Sequence, residues 1–429
     1  MTGLSGYNST EPSETEALIG DSRGVNSGRH IRHKQHFYWT QWPSHAAHLT
    51  YMTLARDYVN LLLVFVPLGI IAGALHWDST VIFVFNFLAI IPLASLLSFA
   101  TEELAASMGQ ALGGLMNATF GNAVELIVSI IALKDGQIRV VQASMLGSIL
   151  SNILLVLGCC FFVGGLRYSE QTFNTTVAST MSSLMTVASA SLIIPATLYA
   201  SLTTSKETQK NILILSHGTA IILLILYVMY LYFQLKSHAE FFEETNGESG
   251  SDVENQHEHD AEEEHILNPW AATVALIIVT VLVAICADYL VGRIDSIVEK
   301  TGMSRTFIGL ILIPIVGNAA EHVTAVVVAW KGKMDLAIGV AIGSSLQIAL
   351  FVTPFLVILG WIMNVEMTLN FHIFETVAFF ISGLVVTFLI QDGKSNYLEG
   401  GLCLGMYVIL ALAFYVYPDN VNKDALFHP

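Results

Sequence analysis

The sequence predicts an all-α polytopic membrane protein of about eleven transmembrane helices, one extra N-terminal helix plus two inverted five-helix repeats. Two observations carry this expectation. Of 429 residues, 54% are hydrophobic and only 12% charged, with a mean hydropathy of +0.63, whereas soluble domains carry about 25% charged residues. The second is a signature that occurs twice. Gly121-Asn122-Ala123-Val124-Glu125 returns 196 residues later as Gly317-Asn318-Ala319-Ala320-Glu321, each inside a long apolar run. A carboxylate is expensive there, and the same carboxylate in the same frame twice suggests one site built from two halves of a duplicated chain.

The elements follow in order. Residues 1–57 are expected to be a cytosolic tail, of which 1–50 are polar, with no apolar core of a secretory signal. Within them, Glu14 to Ile19 fits the acidic dileucine pattern read by sorting adaptors, a match that also arises by chance. A real match puts the tail in the cytosol and points to a vacuole-like membrane. About 20 apolar residues span a bilayer as helix. Such runs lie at 58–77, 80–101, 111–133, 140–164, 176–200, 210–235, 268–290, 306–330, 335–361, 371–391 and 396–417. Trp77, Trp270, Trp330 and Trp361 fall near span ends, as interfacial aromatics do. The runs lack the alternation of barrel strands. The four cysteines, Cys159, Cys160, Cys286 and Cys403, sit in apolar runs at no disulfide or zinc spacing.

The duplication extends beyond the signature. Without a gap, residues 121–158 match 317–354 at ten of 38 positions, including Gly136 with Gly332, Gly147 with Gly343 and Ser148 with Ser344. The halves are expected at 80–235 and 267–418, with the 58–77 span outside both. Five spans per unit reverse the second copy, which is the inverted-repeat pattern of alternating-access transporters. Arg29, Arg32, Lys34 and Arg56 precede the first span and favour a cytosolic N-terminus. That choice places the segment 236–266 in the cytosol and the tail 419–429 in the lumen.

At about 100° per residue, Asn117, Gly121, Asn122, Glu125 and Ser129 form one polar stripe. Gly317, Asn318, Glu321 and Thr324 form the second, with His322 alongside. The glycines admit close backbone approach and weaken the helix, which frees carbonyls to act as ligands. Glu125 and Glu321, brought face to face, make with neighbouring carbonyl, Asn and Ser oxygens a hard-oxygen metal site. Ca²⁺ takes six to eight such ligands, and Mn²⁺ accepts similar ones. Without a metal, mutual repulsion and lost hydration favour binding protons. The site holds a divalent cation or protons but not both, and that exclusion couples two opposed fluxes. The bland alternative is a pair of structural carboxylates tying helices together.

Ser148, Ser151 and Asn152 in one copy correspond in region to Ser344, Ser345 and Gln347 in the other; a coordination shell and helix–helix glue both fit them. Glu102 and Glu103 end the second span, either as a cation-attracting or proton-relaying mouth or as solvated helix-end charges. His322 reads as a tuner of metal and proton handling or as an interhelical hydrogen-bonding residue. Between Lys236 and His265 stand eleven acids against one lysine. This segment reads as a solvated linker or as a cation-collecting, pH-sensing surface through His257, His259 and His265. Nothing is basic enough for nucleic acid.

The stretches Thr101–Leu104, Asn117–Glu125, Gln142–Ser148, Ile313–His322 and Gly343–Gln347 resemble the cation/proton exchanger family of the cation/Ca²⁺ exchanger superfamily, closely so its fungal vacuolar Ca²⁺/H⁺ exchangers. The resemblance covers nearly all of 58–418. It implies the eleven-span inverted-repeat fold, a vacuolar membrane, and Ca²⁺ and protons as the exchanged partners with no cofactor. It also implies Glu125 and Glu321 as cation and proton carriers, with Asn122, Asn318, Ser151 and Gln347 lining the path. Na⁺-coupled exchange and a Ca²⁺-permeable channel remain the alternatives on the same scaffold. An intramembrane metalloenzyme is disfavoured, because no His-Glu-x-x-His helix is present.

Overall fold

The computed structural model describes residues 58–201, 206–239 and 267–417. The dileucine motif, the basic residues of the N-terminal tail and the eleven acids of the linker lie outside the described residues. The described chain is almost wholly helical. In the first half, α1 is Val59–Ala74, α2 Ser79–Ser107, α3 Leu112–Phe120, α4 Ala123–Lys134, α5 Ile138–Arg167, α6 Thr175–Tyr199 and α7 Glu207–Ser237. In the second half, α8 is Pro269–Val291 and α9 the short Ile294–Thr301. There follow α10 at Arg305–Gly317, α11 at Ala319–Trp330, α12 at Met334–Ile362, α13 at Ile373–Leu389 and α14 at Tyr397–Val416.

Every expected span is helical, but they are not equal. Seven helices are long and apolar enough to cross a membrane alone, and nine crossings result if the bent pairs α3–α4 and α10–α11 each count as one. The remaining two, α1 and α13, are shorter apolar helices. The 17 residues of α13 rise about 26 Å, short of a hydrocarbon core about 30 Å thick. Length and composition therefore give seven to nine crossings among the described residues, not a fixed eleven. Polar caps mark several starts, as helix ends demand. The Asp78 carboxylate accepts from Thr80 N at 2.8 Å, Asn268 from Ala271 N at 2.9 Å, and Asn396 from the N–H groups of Leu398 and Glu399.

Polar contacts collect at two ends of the bundle. Lys300 pairs with Asp78 at 2.6 Å, and Asp295 takes both Gln137, at 2.9 Å, and Arg305, at 2.8 Å. We call this the far face. At the near face Glu103 accepts from Leu267 N at 3.2 Å, Asp335 from Asn174 N at 2.6 Å, and Lys394 pairs with Glu170 at 2.7 Å. A two-residue antiparallel pairing of β1 (Gln171–Thr172) with β2 (Lys394–Ser395) adds to it. The chain ends flanking the acidic linker, at 239 and 267, belong to the near face. So α2 runs from far to near, while α8, its partner in the repeat, runs from near to far and packs along it. Ile222, Ile225, Val228, Ile277, Leu412 and Val416 point outward and exposed, where lipid rather than water solvates them.

One far-face contact is buried. Arg139, at the start of α5, forms an ion pair with Glu375 of α13 and reaches Thr306 Oγ1 of α10 at 3.3 Å. The Glu375 side chain has no solvent exposure; it also accepts from His372 N at 3.0 Å. Removing Arg139 strands a buried carboxylate. Arg139→Ala is therefore expected to lower stability by about 3 kcal/mol, the low end of the range for a broken buried pair because Arg139 keeps some water. A thermal unfolding curve in detergent checks this, and an unchanged midpoint contradicts it.

Candidate cation site

The duplicated signatures sit where two helices break. The axis turns by 46° between α3 and α4 and by 57° between α10 and α11. Asn122 (φ −102°, ψ 29°) and Asn318 (φ −86°, ψ 5°) stand at the corners outside helical geometry. An asparagine there normally caps its own helix, yet neither does. Both side chains reach into the other half instead. Asn122 Nδ2 donates to Gln347 Oε1 at 2.7 Å, and Asn122 Oδ1 accepts from Ser344 Oγ at 2.8 Å. Asn318 Nδ2 donates to the Ser148 carbonyl at 3.2 Å. Ser148 and Ser344 are repeat partners, so each corner asparagine binds the matching position of the opposite copy. The sequence alone could not pair residues more than 150 positions apart.

Each break leaves a helix N-terminus directly before a glutamate, since Glu125 and Glu321 lie in the first turns of α4 and α11. The half-helix ends bring positive amide ends to the carboxylates, and α3 and α10 bring negative carbonyl ends to any bound cation. Glu125 is 6% exposed. Its carboxylate lies against the other half's signature glycine, for a Cβ on Gly317 would stand 2.6 Å from Glu125 Oε1. Glu321 is half-buried, with Ser344, Asn152 and Glu125 as its polar neighbours. Asn152 Nδ2 also donates to Ser344 Oγ at 3.0 Å. The four form a polar chain, Asn152 to Ser344 to Asn122 to Gln347, that crosses between the halves three times.

Several buried oxygens around this chain have no protein partner: Ser129 Oγ, Ser148 Oγ, Asn152 Oδ1, Asn318 Oδ1 and Glu321 Oε2. Each such group normally costs about 1–3 kcal/mol. Ser129, Ser144 and Ser148 share with Glu125 and Gly317 the lining of one cavity. Among the described residues no three His, Cys, Asp or Glu side chains converge. The arrangement is thus two carboxylates amid neutral oxygens, a donor set for a hard cation.

The other expected residues fall at varying distances from this centre. Gly121 lies at the first break, where a Cβ would approach Gln347 Oε1 at 3.7 Å. His322 follows Glu321 with its Nε2 buried and without a partner. Ser151 is fully buried, at the start of a π-helical turn beside Tyr407 of α14. Tyr407 carried no sequence signal, lying in no motif. Glu102 and Glu103 lie near the near-face end of α2. Glu102 accepts from Ser98 Oγ at 3.1 Å and Glu103 anchors Leu267.

Known proteins share this architecture. The family model described as sodium/calcium exchanger protein matches residues 78–236 and 271–416, both signatures included. A vacuolar calcium ion transporter of Schizosaccharomyces pombe is 52% identical over 371 residues, 86% of this chain and 88% of its own length. A Ca(2+)/H(+) antiporter of Aphanothece halophytica is 46% identical over 360 residues, 83% of this chain and 96% of its own. The solved structure of native YfkE superposes with a TM-score of 0.71 at 40% identity, covering 84% of this chain and all of its own. The chain belongs to the sodium/calcium exchanger protein family.

Proposed function

We propose that this protein is a secondary active antiporter that moves Ca²⁺ from the cytosol into the vacuole in exchange for protons. Glu125 and Glu321 carry both ions in turn. The reading rests above all on one observation: the two signature carboxylates, 196 residues apart in sequence, share one oxygen-rich centre made from both halves. The relatives named as a vacuolar calcium ion transporter and as a Ca(2+)/H(+) antiporter support it, as does the Ca2+/H+ antiporter protein YfkE at 39% identity.

Charge explains the coupling. Two carboxylates balance one divalent cation or two protons, and either load leaves the centre neutral. With neither, two negative charges stand in a low-dielectric interior, a state that costs several kcal/mol per unpaired ion. The protein therefore changes the side it exposes only when loaded, and each crossing carries Ca²⁺ one way or protons the other. Oxygens from Asn122, Asn318, Ser148, Gln347 and the carbonyls at the two breaks complete a shell for Ca²⁺, with Mn²⁺ as a second cation that the same ligands accept. In this reading the near face is cytosolic. Eleven crossings, in halves 80–235 and 267–418, put the C-terminus in the lumen.

Two outcomes check the reading in reconstituted vesicles. Glu125→Gln and Glu321→Gln each keep the fold but lower proton-driven Ca²⁺ uptake by roughly a hundredfold or more, the scale of a buried charge left without its counter-charge. Wild-type uptake by either variant would remove these glutamates from the mechanism. Gly317→Ala retains every ligand yet drives a methyl into the Glu125 carboxylate. Misplacement of that size lowers uptake by about tenfold or more, and an unaffected rate would show that Glu125 does not work from this position.

A further inference from the structure

Equivalent turns of the two copies carry different charge. The turn from α4 to α5 reads Lys134-Asp135-Gly136-Gln137, and the one from α11 to α12 reads Trp330-Lys331-Gly332-Lys333. In register, Lys331 and Lys333 thus replace Asp135 and Gln137. The far-face turn is held to a carboxylate, since Gln137 Nε2 donates to Asp295 at 2.9 Å. The near-face turn is held by a cation. Arg167, the last residue of α5, donates from Nη1 to the Trp330 carbonyl at 3.1 Å, and Gln171 Nε2 donates to the Ala329 carbonyl at 3.1 Å. Both bonds satisfy carbonyls at the C-terminus of α11, a helix end that favours positive charge. The position equivalent to Arg167 in the second copy is Met363.

Capping uses one N–H of Arg167 and leaves the rest of the cluster unexplained. The guanidinium carbon lies 5.2 Å from the centroid of the Trp330 ring and 5.5 Å from that of Tyr168, so two aromatics hold a permanently charged group in place. Tyr168 also lies on the turn itself, for a Cβ on Gly332 would stand 3.1 Å from its hydroxyl oxygen. Lys331 and Lys333 are exposed. Among the described residues, neither they nor Arg167 pairs with a carboxylate. Other near-face charges are matched: Lys394 pairs with Glu170, and Asp335 accepts from Asn174 N. Three cations thus ring one turn without counter-charge. Exposed apolar surface adjoins them. Leu166 and Trp330 are exposed, and α14 starts alongside, where a Cβ on Gly165 would stand 2.2 Å from Tyr397 N. Tyr397 is exposed as well, and exposed Trp and Tyr at helix ends mark the headgroup level of a bilayer.

We propose that this turn binds the phosphate headgroup of an anionic phospholipid in the near-face leaflet, held by Arg167, Lys331 and Lys333, with its acyl chains against Leu166, Trp330 and Tyr397. The N–H groups of Arg167 not spent on the Trp330 carbonyl offer a planar fork to phosphate oxygens, and the lysines add point charges. The rings fix the guanidinium beforehand, so little side-chain freedom is lost on binding. The uncompensated charge selects an anionic headgroup, because a zwitterionic one brings a cation of its own. The apolar residues beside the cations select a lipid over a soluble anion, which would leave them idle. The inference does not depend on which ions the protein exchanges.

The test is lipid binding by the full chain in detergent, read by native mass spectrometry as phosphatidylserine or phosphatidylcholine is titrated. Wild type should bind phosphatidylserine more tightly than phosphatidylcholine. The double variant Lys331→Gln/Lys333→Gln should lower the phosphatidylserine affinity by about 25-fold, at about fivefold for each basic residue at an anionic surface. Its phosphatidylcholine affinity should not change. Lys134→Gln/Lys210→Gln removes the same charge from exposed far-face ends of α4 and α7 and should stay within about twofold of wild type, because salt screens charges that distant. Without added lipid, both double variants should unfold at the wild-type midpoint. A midpoint lowered only in Lys331→Gln/Lys333→Gln would make the lysines part of the fold and overturn the site, as would equal phosphatidylserine affinities of the two variants. Glycerophosphoserine, the same headgroup without acyl chains, should not displace the lipid. Displacement by it, or by a soluble hexaglutamate peptide, at the lipid's own concentration would reveal a general anion patch and contradict the lipid assignment.

Discussion

Two carboxylates held together in a low-dielectric interior constrain everything else in this molecule. They repel one another, they have little water, and they are stable only when something positive neutralises them. The fold supplies what the pair needs to be tolerated. Helix N-termini point at both glutamates, neutral oxygens surround them, and a glycine opposite Glu125 lets its carboxylate come within contact of the other half's backbone.

The breaks at Asn122 and Asn318 are the means. A continuous helix would turn its amides and carbonyls inward on themselves, leaving no dipole ends at the membrane's middle. Broken helices place four ends there. The corner asparagines then do something their residue type seldom does. They leave their own helices uncapped and bind serine and glutamine of the opposite half. The hydrogen bonds thus couple the halves where the two signatures come together. The exact two-fold is broken by Asn152, whose repeat counterpart is Ile348, so Glu321 has an amide neighbour that Glu125 lacks.

Much of this was legible in the sequence. The signature glutamates, the register of 196 and the helical spans all follow from local chemistry: a costly charge in an apolar run, glycine where backbones approach, and stretches long enough for a bilayer. The expected 80–101 span is in fact the longer helix Ser79–Ser107, because polar residues continue a helix once it leaves the apolar layer. The expectation that glycines weaken the helices was right in kind, and the structure gives the angles. What stayed hidden is long-range. Arg139 and Glu375 are 236 positions apart, and nothing around either residue announces the other. Ser344 and Asn152 read as either ligand or glue until their partners were seen. Nor does a repeated sequence say that Gly147 packs tightly on the Leu310 carbonyl while its counterpart Gly343 meets only Met181.

The account stands on one centre shared by both halves. Diffraction from crystals soaked in Mn²⁺, collected where that metal scatters anomalously, tests it most directly. The expected result is a single strong peak with one oxygen of Glu125 and one of Glu321 in its first coordination sphere, and with oxygens from the two helix breaks completing it. A peak ligated by only one of these carboxylates, or lying away from both, would contradict it.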